Sequence, residues 1–253
     1  MNDMRPTPDA PLLEVRHLSK NFGPVEALKD LSMTVRAGEV VALAGDNGAG
    51  KTTLIKAISG VFRPSSGEIL LRGQPVSFAS PHEARDKGIE TIYHDLALAD
   101  NLTIGANIFL GREPTRRAFG FLPVLDRAKM AEAAKATMAL LDFHVSRLDA
   151  PVSNFSGGQR QAVAIGRAVY WDAQILIMDE PTAALGVPEQ RKVISLIHQL
   201  KAQGRGVIFI SHNLQDIFAV ADRIVVLRRG VQAGERRISE TNHDEVVRLM
   251  VGG

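Results

Sequence analysis

Apolar positions follow two patterns along this chain. Toward the N-terminus they alternate in part, as in Leu12-Leu13-Glu14-Val15-Arg16 and Leu31-Ser32-Met33-Thr34-Val35, with turn residues Asn21, Gly23 and Pro24 between. Such alternation predicts strands with one covered face. Further on they form unbroken runs: Val40-Val41-Ala42-Leu43-Ala44, Ile175-Leu176-Ile177-Met178, Val207-Ile208-Phe209-Ile210 and Ile224-Val225-Val226-Leu227. Short continuous runs predict strands covered on both faces, as in a parallel sheet. Val193, Leu196, Ile197 and Leu200 recur at i, i+3, i+4 and i+7, which predicts a helix that Gly204 stops. The pattern is that of an α/β protein.

Turns are predicted at Arg36-Ala37-Gly38-Glu39 and at Ser65-Ser66-Gly67, the latter leading into a strand over Glu68-Ile69-Leu70-Leu71. From about 97 to 154 the chain is rich in Ala, Met, Leu and Lys, with a helical section from Asp126 to Leu141. Pro114, Gly120 and Pro123 mark a loop before that helix. The expectation is a helical lobe inserted into a single nucleotide-binding domain spanning 12–253. Residues 1–11 are proline-rich without an apolar run, so they read as a disordered lead-in and not as a signal peptide.

Chemistry enters directly after the first continuous run. Gly45-Asp46-Asn47-Gly48-Ala49-Gly50-Lys51-Thr52-Thr53 fits G-x-x-x-x-G-K-[ST] between a predicted strand and a helix beginning Thr52-Thr53-Leu54-Ile55. Glycines let such a loop turn with its N–H groups inward, a cradle for phosphate oxygens strengthened by the helix N-terminus. Lys51 reaches the β/γ-phosphates and the Thr52 hydroxyl ligates Mg²⁺. With both flanks in place, a chance glycine turn is the poorer reading: the chain binds a nucleoside triphosphate.

Composition limits the rest. Cysteine is absent from the 253 residues, so disulfides and thiolate metal sites are excluded. A net charge of +2 gives no strong field for nucleic acid. No apolar run approaches the ~18 residues of a membrane-spanning helix, so membrane contact is expected only through a partner.

Two further motifs narrow the class. The run ending at Met178 leads into Asp179-Glu180; Asp179 is placed to hold the Mg²⁺ shell and Glu180 to polarise the water that attacks the γ-phosphate. Phe155-Ser156-Gly157-Gly158-Gln159-Arg160-Gln161 precedes the helix-prone run Ala162 to Ala168. There Ser156 is an N-cap, and the glycines admit close backbone approach, making a second anion site on a helix N-terminus. One triphosphate cannot easily sit on both sites of a monomer.

The order of phosphate loop, Ser156-Gly157-Gly158-Gln159, Asp179-Glu180 and His212 resembles the ATP-binding subunit of ABC transporters, from about Leu12 onward. The resemblance implies a P-loop NTPase core with an antiparallel β-subdomain and an inserted α-helical subdomain, hydrolysing ATP with Mg²⁺. It implies a head-to-tail dimer with two composite sites, in which Ser156, Gly157, Gly158 and Gln159 act on the partner's ATP. It makes His212 the switch histidine that touches the γ-phosphate and holds Glu180. It also makes Phe22 the aromatic that stacks on adenine, the alternative being a phenylalanine buried in the β-subdomain. Two positions depart from the family pattern. His94 stands where the family places a glutamine that senses Mg²⁺ and the attacking water, so His94 joins the catalytic and metal candidates. An imidazole titrates near neutral pH where an amide does not. Gly186 stands where an aspartate is frequent.

Tyr93 to Leu102, Asn107 to Glu113 and Glu180 to Val187 resemble most closely the simple-sugar import ATPases. With one cassette carrying both half-sites, the resemblance implies a homodimer bound to permease subunits at the cytoplasmic side of the inner membrane. A sugar-binding protein would be an indirect partner, and no nucleic acid is expected. The chain after about Leu227 is too short for the extra regulatory domain of other sugar importers. The alternatives are an ABC ATPase for an amino acid or lipid, or a permease-free ABC protein, which would need coiled coils or a second cassette.

Overall fold

The computed structural model describes residues 10–119, 121–141, 143, 147–183 and 185–252. Nine of the eleven residues of the expected lead-in, 1–9, lie outside them. β1 (Leu13–Phe22) and β2 (Val25–Val35) form an antiparallel hairpin that turns at Gly23-Pro24, with Asn21 still inside β1. β3 (Val40–Ala44) leads through the glycine loop into α1 (Lys51–Ile58). β4 (Ser66–Leu71) and β5 (Gln74–Val76) complete one sheet in the order β2-β1-β4-β5. α2 (Pro81–Asp86) and β6 (Ile89–Ile92) follow, then α3 (Ile104–Phe109), the hairpin β7 (Thr115–Ala118) and β8 (Leu122–Leu125), α4 (Arg127–Leu140) and α5 (Gly157–Tyr170). β9 (Ile175–Asp179), α6 (Val187–Ala202), β10 (Gly206–Ile210), α7 (Leu214–Val220), β11 (Arg223–Arg228), β12 (Val231–Arg237) and α8 (His243–Val251) close the described chain.

The larger sheet has the order β12-β11-β3-β10-β9-β6, parallel except for the edge strand β12. Its strands explain the unbroken apolar runs, because successive side chains serve different cores. Val40, Ala42 and Ala44 of β3, Leu176 and Met178 of β9, and Val207 and Phe209 of β10 pack with the helices α3 to α6. Val41 and Leu43, Ile175 and Ile177, and Ile208 and Ile210 face the other way, against α1 and the antiparallel sheet. A charged residue at any of these positions would enter a core whichever face it took.

Two local expectations need correction. Ser66 and Gly67 are not a turn: they open β4, and Gly67 sits at φ 83 where the pairing with β1 slips between Arg16 and Ser19, a bulge. The stretch around Pro114 and Pro123 is not a loop but the hairpin β7–β8, a two-stranded sheet of its own. Its proline occupies an edge strand, where the missing N–H costs no ladder bond to a further strand, and so masked the strand pattern. Gly120 lies outside the described residues.

Within the helical layer α5 packs on both α3 and α4. Fully buried Asn107 ties α3 to the segment that precedes it. Its side chain accepts from Ala99 N–H at 2.7 Å and donates to the Ala99, Leu102 and Thr103 carbonyls. Trp171 Nε1 donates to the Ile108 carbonyl at 2.8 Å, fastening α3 to the end of α5.

Candidate functional site

The glycine loop leaves the central strand β3 at the carboxyl edge of the parallel sheet, where open α/β folds bind ligands. Gly45 has φ 147, and a Cβ there would stand 2.3 Å from the Leu227 carbonyl oxygen, so only glycine fits beneath the loop. Gly50, at φ 108, caps α1 without a side-chain bond, leaving the helix's first N–H groups for a ligand. The loop is braced from behind: Gly230 N–H donates to the Ala49 carbonyl at 3.0 Å, and Lys29 N–H to the Gly230 carbonyl at 2.8 Å.

Gly45 to Thr53 line one cleft of about 980 Å³ together with Asp179, Glu180 and His212. Lys51 Nζ donates to the carbonyls of Gly45 at 2.5 Å and Asp46 at 3.0 Å, holding the ammonium across the mouth of the loop. Burial lowers the Lys51 pKa, against the raising influence of Glu180, Asp46 and Asp179. Asp179 ends β9 opposite Ile210; burial and then Glu180 raise its pKa, while His94 and Lys51 oppose the shift. A cation placed among these carboxylates would offset that penalty.

Glu180 sits at φ 53, a left-handed conformation uncommon outside glycine, its N–H donating to the Ile210 carbonyl at 2.9 Å. The bend turns its side chain toward the next loop. His212 N–H donates to Glu180 Oε1 at 3.1 Å, and His212 Nδ1 lies 2.9 Å from Oε2. That second contact is close but not aligned, so the buried Oε2 has no hydrogen-bond partner among the described residues. A buried carboxylate oxygen in that state is costly unless water or ligand meets it.

His94 follows β6 in an exposed turn, near enough to Asp179 to influence it, but outside the lining of the phosphate cleft. Leu96 and Ala97 both have positive φ, at 57 and 45, and Arg167 Nη1 of α5 donates to the Ala97 carbonyl at 3.1 Å. Arg167 also stands 4.0 Å from Glu90 of β6, whose pKa burial raises and Arg167 lowers. Phe22 ends β1, 48% exposed, its ring edge-on to Phe62 at 5.3 Å with Lys20 Nζ over both. It is therefore not a core residue, and it lies outside the lining of the phosphate cleft.

Ser156 caps α5 with a full capping box: Gln159 N–H donates to Ser156 Oγ at 3.4 Å, and Ser156 N–H to Gln159 Oε1 at 2.9 Å. Ser156, Gly158 and Gln159 line a different cleft, of about 530 Å³, with Glu189 and Lys192 of α6. The two anion-ready helix termini of one chain thus open into separate clefts. Gly186 is the N-cap of α6 at φ −68, with Glu189 in the first turn of the helix.

Sequence reading missed Val25, Glu26, Ala27, Arg229, Gly230 and Met250, which also line the phosphate cleft. Arg229-Gly230 was legible as a turn after a strand; that it folds back onto the loop was not. Among the described residues no group of three or more His, Asp or Glu side chains could hold a metal.

Fold and cleft together define a P-loop ATP-binding cassette, with a glycine loop between β3 and α1, two carboxylates at the end of β9 facing it across the cleft, and a helical layer set on the core. The ABC transporter family model matches residues 28–183, more than half of the chain, and the chain belongs to that family of ATP-hydrolysing cassettes. It is 50% identical over 239 residues, 94% of this chain and 93% of the relative, to the xylose/arabinose import ATP-binding protein XylG of Sulfolobus acidocaldarius. It is 44% identical to the ribose import ATP-binding protein RbsA 2 of Rhizobium johnstonii, covering 97% of this chain but 47% of that protein. The chain thus spans about half the length of the ribose relatives. Among solved structures, a nucleotide-free ATP-binding cassette from an ABC transporter superposes with a TM-score of 0.80 at 25% identity, covering 96% of each chain.

Proposed function

We propose that this chain is the ATP-hydrolysing subunit of an importer of a simple sugar. Kinship at 50% identity over nearly the whole of a xylose/arabinose import ATP-binding protein carries this reading. The span 12–253 works as one cassette with its helical subdomain over about 97–154. Two copies pair so that Ser156, Gly157, Gly158 and Gln159 of each close on the ATP held by the other's Gly45 to Thr53, with Phe22 against the adenine. Permease subunits hold the pair at the cytoplasmic face of the membrane, and a sugar-binding protein delivers cargo to them. No described helix is long and apolar enough to cross a membrane, in keeping with attachment through partners. Deleting the gene in its host should abolish ATP-driven uptake of one labelled pentose or hexose, and re-expression should restore it. Undiminished uptake of every sugar tested, with loss of amino-acid or lipid uptake, would replace the sugar by that cargo.

In the same reading Thr52 and Asp179 hold Mg²⁺, with His94 beside them. So few protein ligands suit an ion that keeps waters and takes phosphate oxygens. When bound, Mg²⁺ neutralises charge on the β/γ-phosphates. The chain's own residues do the rest. Lys51 meets phosphate oxygens, His212 holds Glu180 in place, and Glu180 Oε2 accepts from the attacking water. His94 takes the part of a hydrogen-bonding group near that water. Accordingly His94→Ala should lower turnover roughly tenfold or more with ATP affinity unchanged, while His94→Gln keeps it within about threefold. Equal turnover in all three proteins, at saturating Mg-ATP without permease, would remove His94 from the chemistry.

A further inference from the structure

Among the described residues hairpin β7–β8 lines no part of the phosphate cleft, pairs with no other strand, and ends in the most exposed large apolar side chains. Phe119 is 90% and Phe121 80% exposed, with Leu122 and Leu125 about half exposed behind them. Monomeric soluble proteins rarely present apolar groups together in this way without a partner.

Charge says what that partner is. The segment 111–129 carries Arg112, Arg116, Arg117, Arg127 and Lys129 against only Glu113 and Asp126, a surplus of three where the whole chain has +2. Both acids are engaged by backbone: Glu113 Oε1 accepts from Gly111 N–H at 3.0 Å, and Asp126 Oδ1 caps α4 by accepting from Lys129 N–H at 3.0 Å. Arg112 is committed to Asp86 and lies over the Trp171 ring. Arg116 and Arg117 remain exposed on β7 just before the aromatic tip, and Arg127 and Lys129 are exposed at the start of α4, beyond the base of the hairpin.

We infer that this hairpin is a membrane-surface foot: Phe119 and Phe121 enter the headgroup region of an anionic bilayer, and Arg116 and Arg117 meet lipid phosphates. Aromatic rings favour that interface, guanidinium groups bind phosphate through paired N–H donors, and basic residues are drawn to the negative leaflet. A single foot binds weakly and reversibly. It would orient the cassette on the membrane rather than anchor it, and it does not depend on what the transporter carries.

Sedimentation of the purified full-length chain with vesicles tests it, ATP turnover being measured in the same samples. The wild type should co-sediment with phosphatidylglycerol-rich vesicles at low salt, much less with pure phosphatidylcholine, and detach as salt rises. Arg116→Glu/Arg117→Glu should lower partitioning roughly twentyfold or more, at about fivefold for each basic residue removed. Phe119→Ser/Phe121→Ser should lower it about tenfold or more. Basal ATP turnover should stay near wild type in both. No binding by the wild type, equal binding to neutral vesicles, salt-insensitive binding, or variants that bind like wild type would each overturn the inference. So would variants that fail to assemble with the membrane subunits in detergent while the wild type ignores vesicles, since the hairpin would then dock on protein.

Discussion

Glu180→Gln lowers ATP turnover by roughly two to four orders of magnitude and leaves ATP affinity where it was. The amide preserves size and can keep accepting from His212 N–H, now 3.1 Å from Glu180 Oε1. What it replaces is Oε2, a buried carboxylate oxygen with no hydrogen-bond partner among the described residues. An amide NH₂ in that place donates where a water needs an acceptor. The phosphate loop, with Lys51 across its mouth, is untouched, so nucleotide still binds and the ATP-bound dimer accumulates. Turnover at saturating Mg-ATP and equilibrium nucleotide binding are the two measurements. Turnover near wild type would show that another group orients the water. Lys51→Ala separates the two functions from the other side: ATP affinity itself should fall, and unchanged affinity would contradict the loop's assignment to phosphate.

A chain carrying Lys51→Ala and a chain carrying Gly157→Asp, each inactive alone, recover activity when mixed. The expectation follows from the two clefts, one lined by Lys51 with Glu180, the other by Ser156, Gly158 and Gln159. Aspartate at 157 sets a negative charge on the α5 N-terminus, where the helix would otherwise favour phosphate. In a mixed dimer one composite site carries both lesions and the other carries none. Random pairing makes half of the dimers mixed, giving about a quarter of the wild-type rate if sites turn over independently. Recovery requires that one intact site suffices. An active wild-type protein that stays monomeric throughout turnover would remove the composite site altogether.

Local chemistry was legible in the chain because it is held by neighbours in sequence. Gly45 to Thr53 needs only a strand before it and a helix after it, and both stand where the apolar runs placed them. The Ser156 cap was readable as well, since its partner Gln159 is three residues away. Unbroken runs at 175–178, 207–210 and 224–227 announced a parallel sheet because each successive side chain meets a core, one on either face. The hairpin at 115–125 escaped notice because neither strand buries a face, and a proline and a polar strand leave almost no period-two signal.

Tertiary structure decided what pairs across distance. Nothing near Glu180 in sequence predicts that its backbone turns left-handed, or that His212 reaches it from the next strand's end while Oε2 has no hydrogen-bond partner among the described residues. The return of Arg229-Gly230 onto the phosphate loop, and the link from α5 through Arg167 to the turn after His94, are likewise products of strand order. Phe22 remained open between core and ligand until its exposure at the end of β1 removed the first reading. The physical reason is common to all of these. Motifs and periodicities record interactions within a few residues, which the chain's own geometry enforces. Contacts of β3 with β10 and β11, and of β10 with β9, arise only when apolar faces are buried together, and burial is blind to the order in which the chain supplies them.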